Sequence, residues 1–382
     1  MLSNSTVLSP ILYLRRNIRR VLPTMLVIVL AVTLVCSIVT IVGTIDKTVF
    51  TLYGYNRYLT GVTPRNALRV NEDELVKVRA LPELGKLYQA HSYQTQVKTI
   101  FGKMPFPLFG LEPEARALLM ERCQIRLKSG RLIEENKPEC MMSAEVAQNL
   151  GLKLGDNVCY PESEDSFAPV PIKLVGLLEG VVWIGLTSRA LVDRLSPFTW
   201  AGYLAFAPTY SDAAQSRLDD AIERVVSKGN ARVWRFSGLV KETQSALTNL
   251  YLILNIVIVI IVVSISFVCG LLSNIYFTQR LPEIATLSAI GYPRSRLFRR
   301  AAWETVILCL FGWILGSIVT VSLLWVVKLI FMAPRGLILE PFDLHALAFT
   351  LPLPVFIGFF AIVTIAVRLN SLDPVSIIER RG

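Results

Sequence analysis

The side chains able to carry covalent or metal chemistry are few and scattered. The chain has two histidines, His91 and His345, and six cysteines, Cys36, Cys123, Cys140, Cys159, Cys269 and Cys309. Neither histidine stands in an H-E-x-x-H frame, no serine stands in G-x-S-x-G, and the cysteine spacing matches no zinc pattern. No metal site is expected and no catalytic residue is assigned. A G-x-x-x-x-G-K-[ST] stretch is also missing, so this sequence offers nucleotide phosphates no glycine-rich loop of backbone amides. ATP chemistry, if the protein uses it, has to come from elsewhere.

What remains is a short stretch with the chemistry of an interface. Residues 279–300 read QRLPEIATLSAIGYPRSRLFRR. The spacing predicts a helix over 282–290, opened by Pro282, with Glu283 in its first turn and Ile284, Leu287 and Ile290 three apart on one face. Gly291 ends it, and Tyr292-Pro293 forbids simple continuation. Arg294, Arg296, Arg299 and Arg300 follow, suited to lipid headgroups. The expectation is an amphipathic turn of helix lying flat between two membrane spans.

The elements around this stretch are set by hydropathy. With 53% hydrophobic residues and a mean hydropathy of +0.51, the chain is too apolar for an ordinary soluble protein. Four runs pass the length test of roughly 20 apolar residues: 21–45, 249–276, 301–331 and 344–367. The first is longer than a signal-peptide core and shows no small-residue cleavage site, so it reads as a retained span. The net charge of +10 is concentrated. Residues 1–20 carry Arg15, Arg16, Arg19 and Arg20 with no acid, and residues 278–300 carry five arginines against Glu283, whereas 46–248 holds 25 basic and 23 acidic residues. Such a distribution marks membrane sidedness and no nucleic-acid surface.

By the positive-inside rule, residues 1–20 form a cytoplasmic amphipathic segment, 277–300 a cytoplasmic loop and 368–382 a cytoplasmic tail. Residues 46–248 and the short loop 332–343 are then outside. The expected fold class is a multi-pass α-helical membrane protein with four transmembrane helices, one plus three. A large mixed α+β extracytoplasmic domain lies between the first and second.

Within 46–248 an acid-capped helix is expected over 71–80, a strand over 87–100 and an amphipathic helix over 212–226. A strand over 232–236 leads to a helix that starts at Gly238 and runs directly into the second span. Gly155-Asp156 marks a tight turn, and Val175-Gly176 is read as the turn closing a buried strand. The three cysteines of this domain cannot all pair with one another, and their disulfide state is left open. In the third span Gly312 and Gly316 have the G-x-x-x-G spacing that permits close helix packing, or are an incidental pair. Glu304 and Lys328 sit near its ends, where they can snorkel. Pro352 and Pro354 should kink or break the fourth span.

The stretch Glu283-Ile284-Ala285-Thr286-Leu287-Ser288-Ala289-Ile290-Gly291 resembles the Arg-Glu-Ile-Gly-x-Leu-x-Ala-x-Gly loop between the second and third membrane helices of the MacB/FtsX-like ABC permeases. Glu283, Ile284, Leu287, Ala289 and Gly291 match, while Pro282 and Ala285 depart from it. The tail Leu372-Asp373-Pro374-Val375 is similar to that family's common ending. Gly130-Arg131, Leu150-Gly151 and Gly155-Asp156 follow the order of a MacB-like core domain. This resemblance implies a stand-alone permease subunit without a fused ATPase, not itself an enzyme, placed in the inner or plasma membrane with both termini cytoplasmic. Glu283, Ile284, Leu287, Ala289, Ile290 and Gly291 would be the surface on which separate cytoplasmic ABC ATPase subunits act. No cofactor is expected on this chain, with ATP and magnesium on the partner ATPase. The resemblance further implies a second permease copy as homodimer or heterodimer, an optional membrane-fusion adaptor, and movement of the external domain by mechanotransmission. It also leaves room for a membrane-anchored regulator or scaffold that controls an external partner such as a cell-wall hydrolase. The transported substrate is not specified.

Overall fold

The structure is a computed structural model that describes residues 17–100, 102–195, 201–226 and 228–370. In chain order its elements begin with α1 (Ile18–Tyr53), β1 (Thr60–Pro64), α2 (Glu72–Arg79), β2 (Lys86–Thr99), β3 (Gly102–Leu111), α3 (Pro113–Arg122), β4 (Arg126–Gly130) and β5 (Glu139–Ser143). Then come α4 (Ala144–Leu150), β6 (Asn157–Cys159), β7 (Ile172–Glu179), β8 (Gly185–Ser188), α5 (Arg189–Leu195), β9 (Ala201–Phe206), α6 (Asp212–Val225) and β10 (Ala231–Trp234). The chain continues with α7 (Phe236–Ala289), α8 (Arg294–Val327), α9 (Leu344–Phe349) and α10 (Pro352–Asn370). It divides into two compact units, one of residues 44–248 with 329–339, the other of 1–43, 249–328 and 340–382.

The first unit is built on one mixed sheet of 10 strands in the order β10-β1-β9-β2-β3-β8-β5-β7-β4, with β6 paired to β7. Its longest pairing is β2 with β3, antiparallel from His91↔Gly110 to Thr99↔Gly102. The pairs β3 with β8 and β5 with β7 are parallel. Ile172 and Leu174 of β7 join Phe106, Leu108, Met142 and Leu52 in one core, and Leu178 at the other end of the strand joins Leu119, Leu186 and Phe206 in a second. A separate core forms where α6 lays Ala214, Leu218 and Ile222 on Val62, Val70 and Ala205. The spacing of four between those α6 residues is the apolar stripe of an amphipathic helix. Ser211 caps α6 by accepting the Ala214 amide, and Asn71 caps α2 by accepting that of Asp73.

The expected helices over 71–80 and 212–226 and the strand over 87–100 are all present, within a residue or two. Gly155 has φ +96°, the left-handed turn conformation that favours glycine. Gly176 differs from expectation. It sits inside β7, opposite Gly130 on one side and Met141 on the other, next to a register shift between Cys140 and Met141. A Cβ at Gly176 would lie 2.5 Å from the Arg131 carbonyl oxygen, so the glycine serves close strand approach and no turn.

Among the described residues, four helices are long and apolar enough to cross a membrane. Ile28, Val32 and Val35 of α1 pack with Ile258 of α7, Cys309 of α8, and Leu353 and Ile357 of α10. The Gly312/Gly316 spacing serves this packing inside the chain. A Cβ at Gly312 would stand 2.7 Å from Ile28 Cγ2, and one at Gly316 would stand 2.8 Å from Val32 Cβ. Thr33 Oγ1 donates to the Gly316 carbonyl across the same seam. The fourth span is broken as its prolines suggest. The chain turns at Thr350-Leu351, Pro352 opens α10, and Trp313 Nε1 donates to Thr350 Oγ1 at 3.0 Å. Glu304 does not snorkel; it is buried and ion-paired with Arg300, one turn earlier, at 3.0 Å.

Candidate coupling site

The expected flat helix over 282–290 is not a separate element. The helix that begins at Phe236 continues without interruption for 54 residues and ends at Ala289, so Pro282 lies inside it. A proline reads as a helix opener in sequence because its fixed φ suits the first turn. In a long helix it removes one backbone donor and can still be carried by the turns on either side. Glu283, Ile284 and Ala289 thus lie on the last two turns of α7.

The end of α7 is built as expected. Gly291 has φ +98°, and the Tyr292 amide donates back to the Leu287 carbonyl at 3.1 Å. That six-to-one bond with a left-handed glycine is the Schellman closure, which satisfies carbonyls the helix end leaves open. Leu287 is half-buried, whereas Ile290 is 70% exposed. Pro293 then caps α8. Arg294 is its first residue, Arg296 and Arg299 are exposed, and Leu297 between them is buried. Arg300 turns inward to Glu304 and so leaves the expected basic surface in part. On α1, Arg19 is exposed and Arg20 lies on the helix; Arg15, Arg16 and the tail 371–382 lie outside the described residues.

At its other end α7 is fastened by side chains the sequence did not single out. The Arg57 guanidinium lies 4.6 Å from the Phe236 ring centroid and 5.7 Å from that of Phe50, and the two rings are 5.5 Å apart. Phe50 is on α1, so this cluster ties the C-terminal turns of α1 to the first turn of α7. Arg235, just before α7, pairs with Glu223 at 2.7 Å and Asp220 at 3.2 Å on α6, and Arg232 pairs with Glu242 at 2.7 Å. Next to them Asp219 is buried under Thr60, whose hydroxyl donates to its carboxylate. Burial pushes the Asp219 carboxyl up to about 6. Nothing in the spacing of Phe50, Arg57 and Phe236 marks them in advance, because they converge from separate elements.

Residues 255–372 match the family model described as FtsX-like permease C-terminal. That segment is similar to the C-terminal domain of FtsX-like permeases. That match spans most of α7 together with α8, α9 and α10, and it bears out the resemblance to the MacB/FtsX-like family. FtsX-like permeases are membrane subunits of ABC transporters and work with ABC ATPase partners. Among solved structures, the periplasmic region of MacB from Actinobacillus actinomycetemcomitans is 12% identical with a TM-score of 0.29, covering 49% of this chain and 92% of that one. The extracellular domain of the noncanonic ABC-type transporter YknZ from Gram-positive bacteria is 11% identical with a TM-score of 0.30, covering 47% and 99%. A domain of a putative permease from Porphyromonas gingivalis is 13% identical with a TM-score of 0.25, covering 47% and 89%. No curated protein matches the chain.

Proposed function

We propose that this permease transmits ATP-driven force from the cytoplasm to an extracytoplasmic α/β domain. The observation that carries this reading is the unbroken course of α7. One helix of 54 residues begins just after β10, against the Phe50 and Arg57 cluster, and ends at the motif-bearing turns before Gly291. A loop between those ends would absorb a displacement, but a hydrogen-bonded helix passes it on.

In this reading the arginines of 1–20 and 278–300 face the cytoplasm, which places residues 46–248 and 332–343 outside. A separate ABC ATPase, holding ATP and magnesium, docks on Ile284, Leu287 and Ile290. The helix ending there moves with the ATPase, and the external domain follows. Arg296 and Arg299 hold the segment at the headgroups. Two copies work together, and an adaptor can extend the assembly.

Leu287→Asp tests the docking surface. A charge placed in the partner's apolar groove costs a few kcal/mol of interface energy, while insertion of the spans is unaffected because residue 287 lies beyond them. The expected result is a normally inserted permease that no longer co-purifies with its ATPase. Retention of the ATPase together with unchanged coupled activity would overturn the assignment.

A further inference from the structure

On one face of the sheet, strands β1, β9 and β2 bring three small residues together. Gly61 pairs with Leu204, and Ala90 pairs with Gly202. A sheet face normally fills such central positions with branched or aromatic side chains, so Gly61, Gly202 and Ala90 leave a hollow. Its walls are large. Trp234 stands opposite Gly61 on β10, and Pro107 and Phe109 stand on β3 opposite Gln94 and Ser92. Tyr53 and Asn56 close one end, and Leu239 of α7 also lines it. The resulting cavity is about 230 Å³.

We propose that this cavity is a binding site for a small uncharged molecule built on one or two rings and carrying a hydroxyl or carbonyl group. Three observations select that class. The first is size, since a cavity of about 150 Å³ accepts benzene, and this one is larger by roughly one further ring. The second is charge. The residues lining it include no aspartate, glutamate, lysine or arginine, so an ion entering would lose water and find no counter-charge. His91, the titratable imidazole at its edge, is engaged by Asp193 at 3.2 Å and Gln89 at 3.2 Å.

The third observation is a row of polar groups with unused capacity. Thr63 Oγ1 accepts the Trp234 indole proton at 2.7 Å, which leaves its own hydroxyl proton to donate. The Ser92 hydroxyl and the Gln94 amide also line the cavity and have no side-chain partner among the described residues. A ligand with one acceptor or donor beside its rings satisfies them, while Trp234, Phe109 and Pro107 take the apolar body. The site stands independently of ATPase coupling. Because Tyr53 ends α1 and Leu239 lies in the first turns of α7, a bound molecule would touch both helices as well as the sheet.

The test uses the purified full-length protein, without ATPase, and 4-(3-(trifluoromethyl)-3H-diazirin-3-yl)benzyl alcohol, a neutral photoactivatable ring of fitting size that carries a hydroxyl. Labelled residues are mapped by peptide mass spectrometry. Labelling at Trp234 and Phe109 is expected to saturate with probe concentration and to fall about ten-fold in Ser92→Trp, which fills the hollow. Labelling of exposed apolar residues on α7 outside any pocket, such as Ile260, should be linear and identical in both proteins, which provides the internal reference. If Ser92→Trp lowers the apparent unfolding temperature, Gln94→Trp at the exposed rim replaces it with the same expectation. Absent labelling at Trp234 and Phe109, labelling that never saturates, or labelling unchanged in the filled variant would each overturn the proposal.

Discussion

The side-chain amide of Asn149 donates to the carbonyl of Arg335 at 2.9 Å, although 186 residues separate them. The same amide spans the Lys98 backbone, accepting its N–H at 2.8 Å and donating to its carbonyl at 2.9 Å. Gln148 adds a bond to the Ala333 carbonyl at 2.8 Å. Gly336, at φ +60°, comes so near that a Cβ there would lie 2.4 Å from the Glu145 carbonyl oxygen. The segment joining α8 to α9 is therefore clasped to α4 of the α/β unit.

Asn149→Ala should release that clasp. It removes three part-buried hydrogen bonds, at a cost of about 2–4 kcal/mol. Limited proteolysis should cut within residues 329–339 in the variant and spare them in the parent protein. Equal resistance in both would show that the clasp does not hold the segment.

The seam between α1 and α8 depends on hydrogen atoms at residues 312 and 316. Gly316→Val should force Val32 away, and overpacking of this kind costs about 1–3 kcal/mol. The apparent unfolding temperature in detergent should fall, whereas Ile314→Val, at a residue 43% exposed, should leave it unchanged. A neutral Gly316→Val would mean that the two helices do not meet there.

Asp219 makes the α/β unit pH-sensitive. Its carboxyl is raised from 3.8 to about 6 by burial, so between about pH 4 and pH 6 the folded form keeps a proton that the unfolded form has lost. Stability is full below that window and falls as pH rises through it. Above the window it is lower by roughly 3 kcal/mol, because each tenfold difference in proton affinity between the folded and unfolded forms is worth about 1.4 kcal/mol. Asp219→Asn keeps the shape and removes the titration. It should raise the apparent unfolding temperature at pH 7 and flatten its dependence between pH 4 and 6; an unaltered profile would place the sensitivity on another group.

The two glycines read as turns should respond differently. Gly176→Ala drives a methyl group into the Arg131 carbonyl, whereas Gly155→Ala meets nothing within 4 Å and bears only the strain of a positive φ, about 1 kcal/mol. Thermal unfolding should therefore rank Gly176→Ala as the more damaging. The reverse order would restore a turn at Gly176.

Spans of 20 or so apolar residues, an acid-capped helix at Asn71 and a left-handed stop at Gly291 are local features, and each is visible in its own stretch of sequence. Pro352 also announced a break that occurs. Pro282 misled because a proline's meaning depends on the turns around it, and the polar residues after Tyr276 resembled the end of a helix that in fact continues. Gly176 misled for a related reason: a glycine needed for strand approach and one needed for a turn look alike until the neighbouring strands are known. The spacing of Gly312 and Gly316 was legible, but its partner on α1 was not. Asn149, Phe50 and Arg57 were invisible because their partners lie in other elements.

The most direct test of force transmission is amide hydrogen exchange in the permease reconstituted with its ATPase. Exchange would be compared between the nucleotide-free complex and the complex trapped with ATP. Residues 54–64 and 234–243 surround the Arg57 and Phe236 contact that anchors α7. The account predicts that ATP changes their exchange in the parent protein and leaves it unchanged in Leu287→Asp. Identical exchange in both nucleotide states of the parent complex, with ATP demonstrably bound, would contradict it.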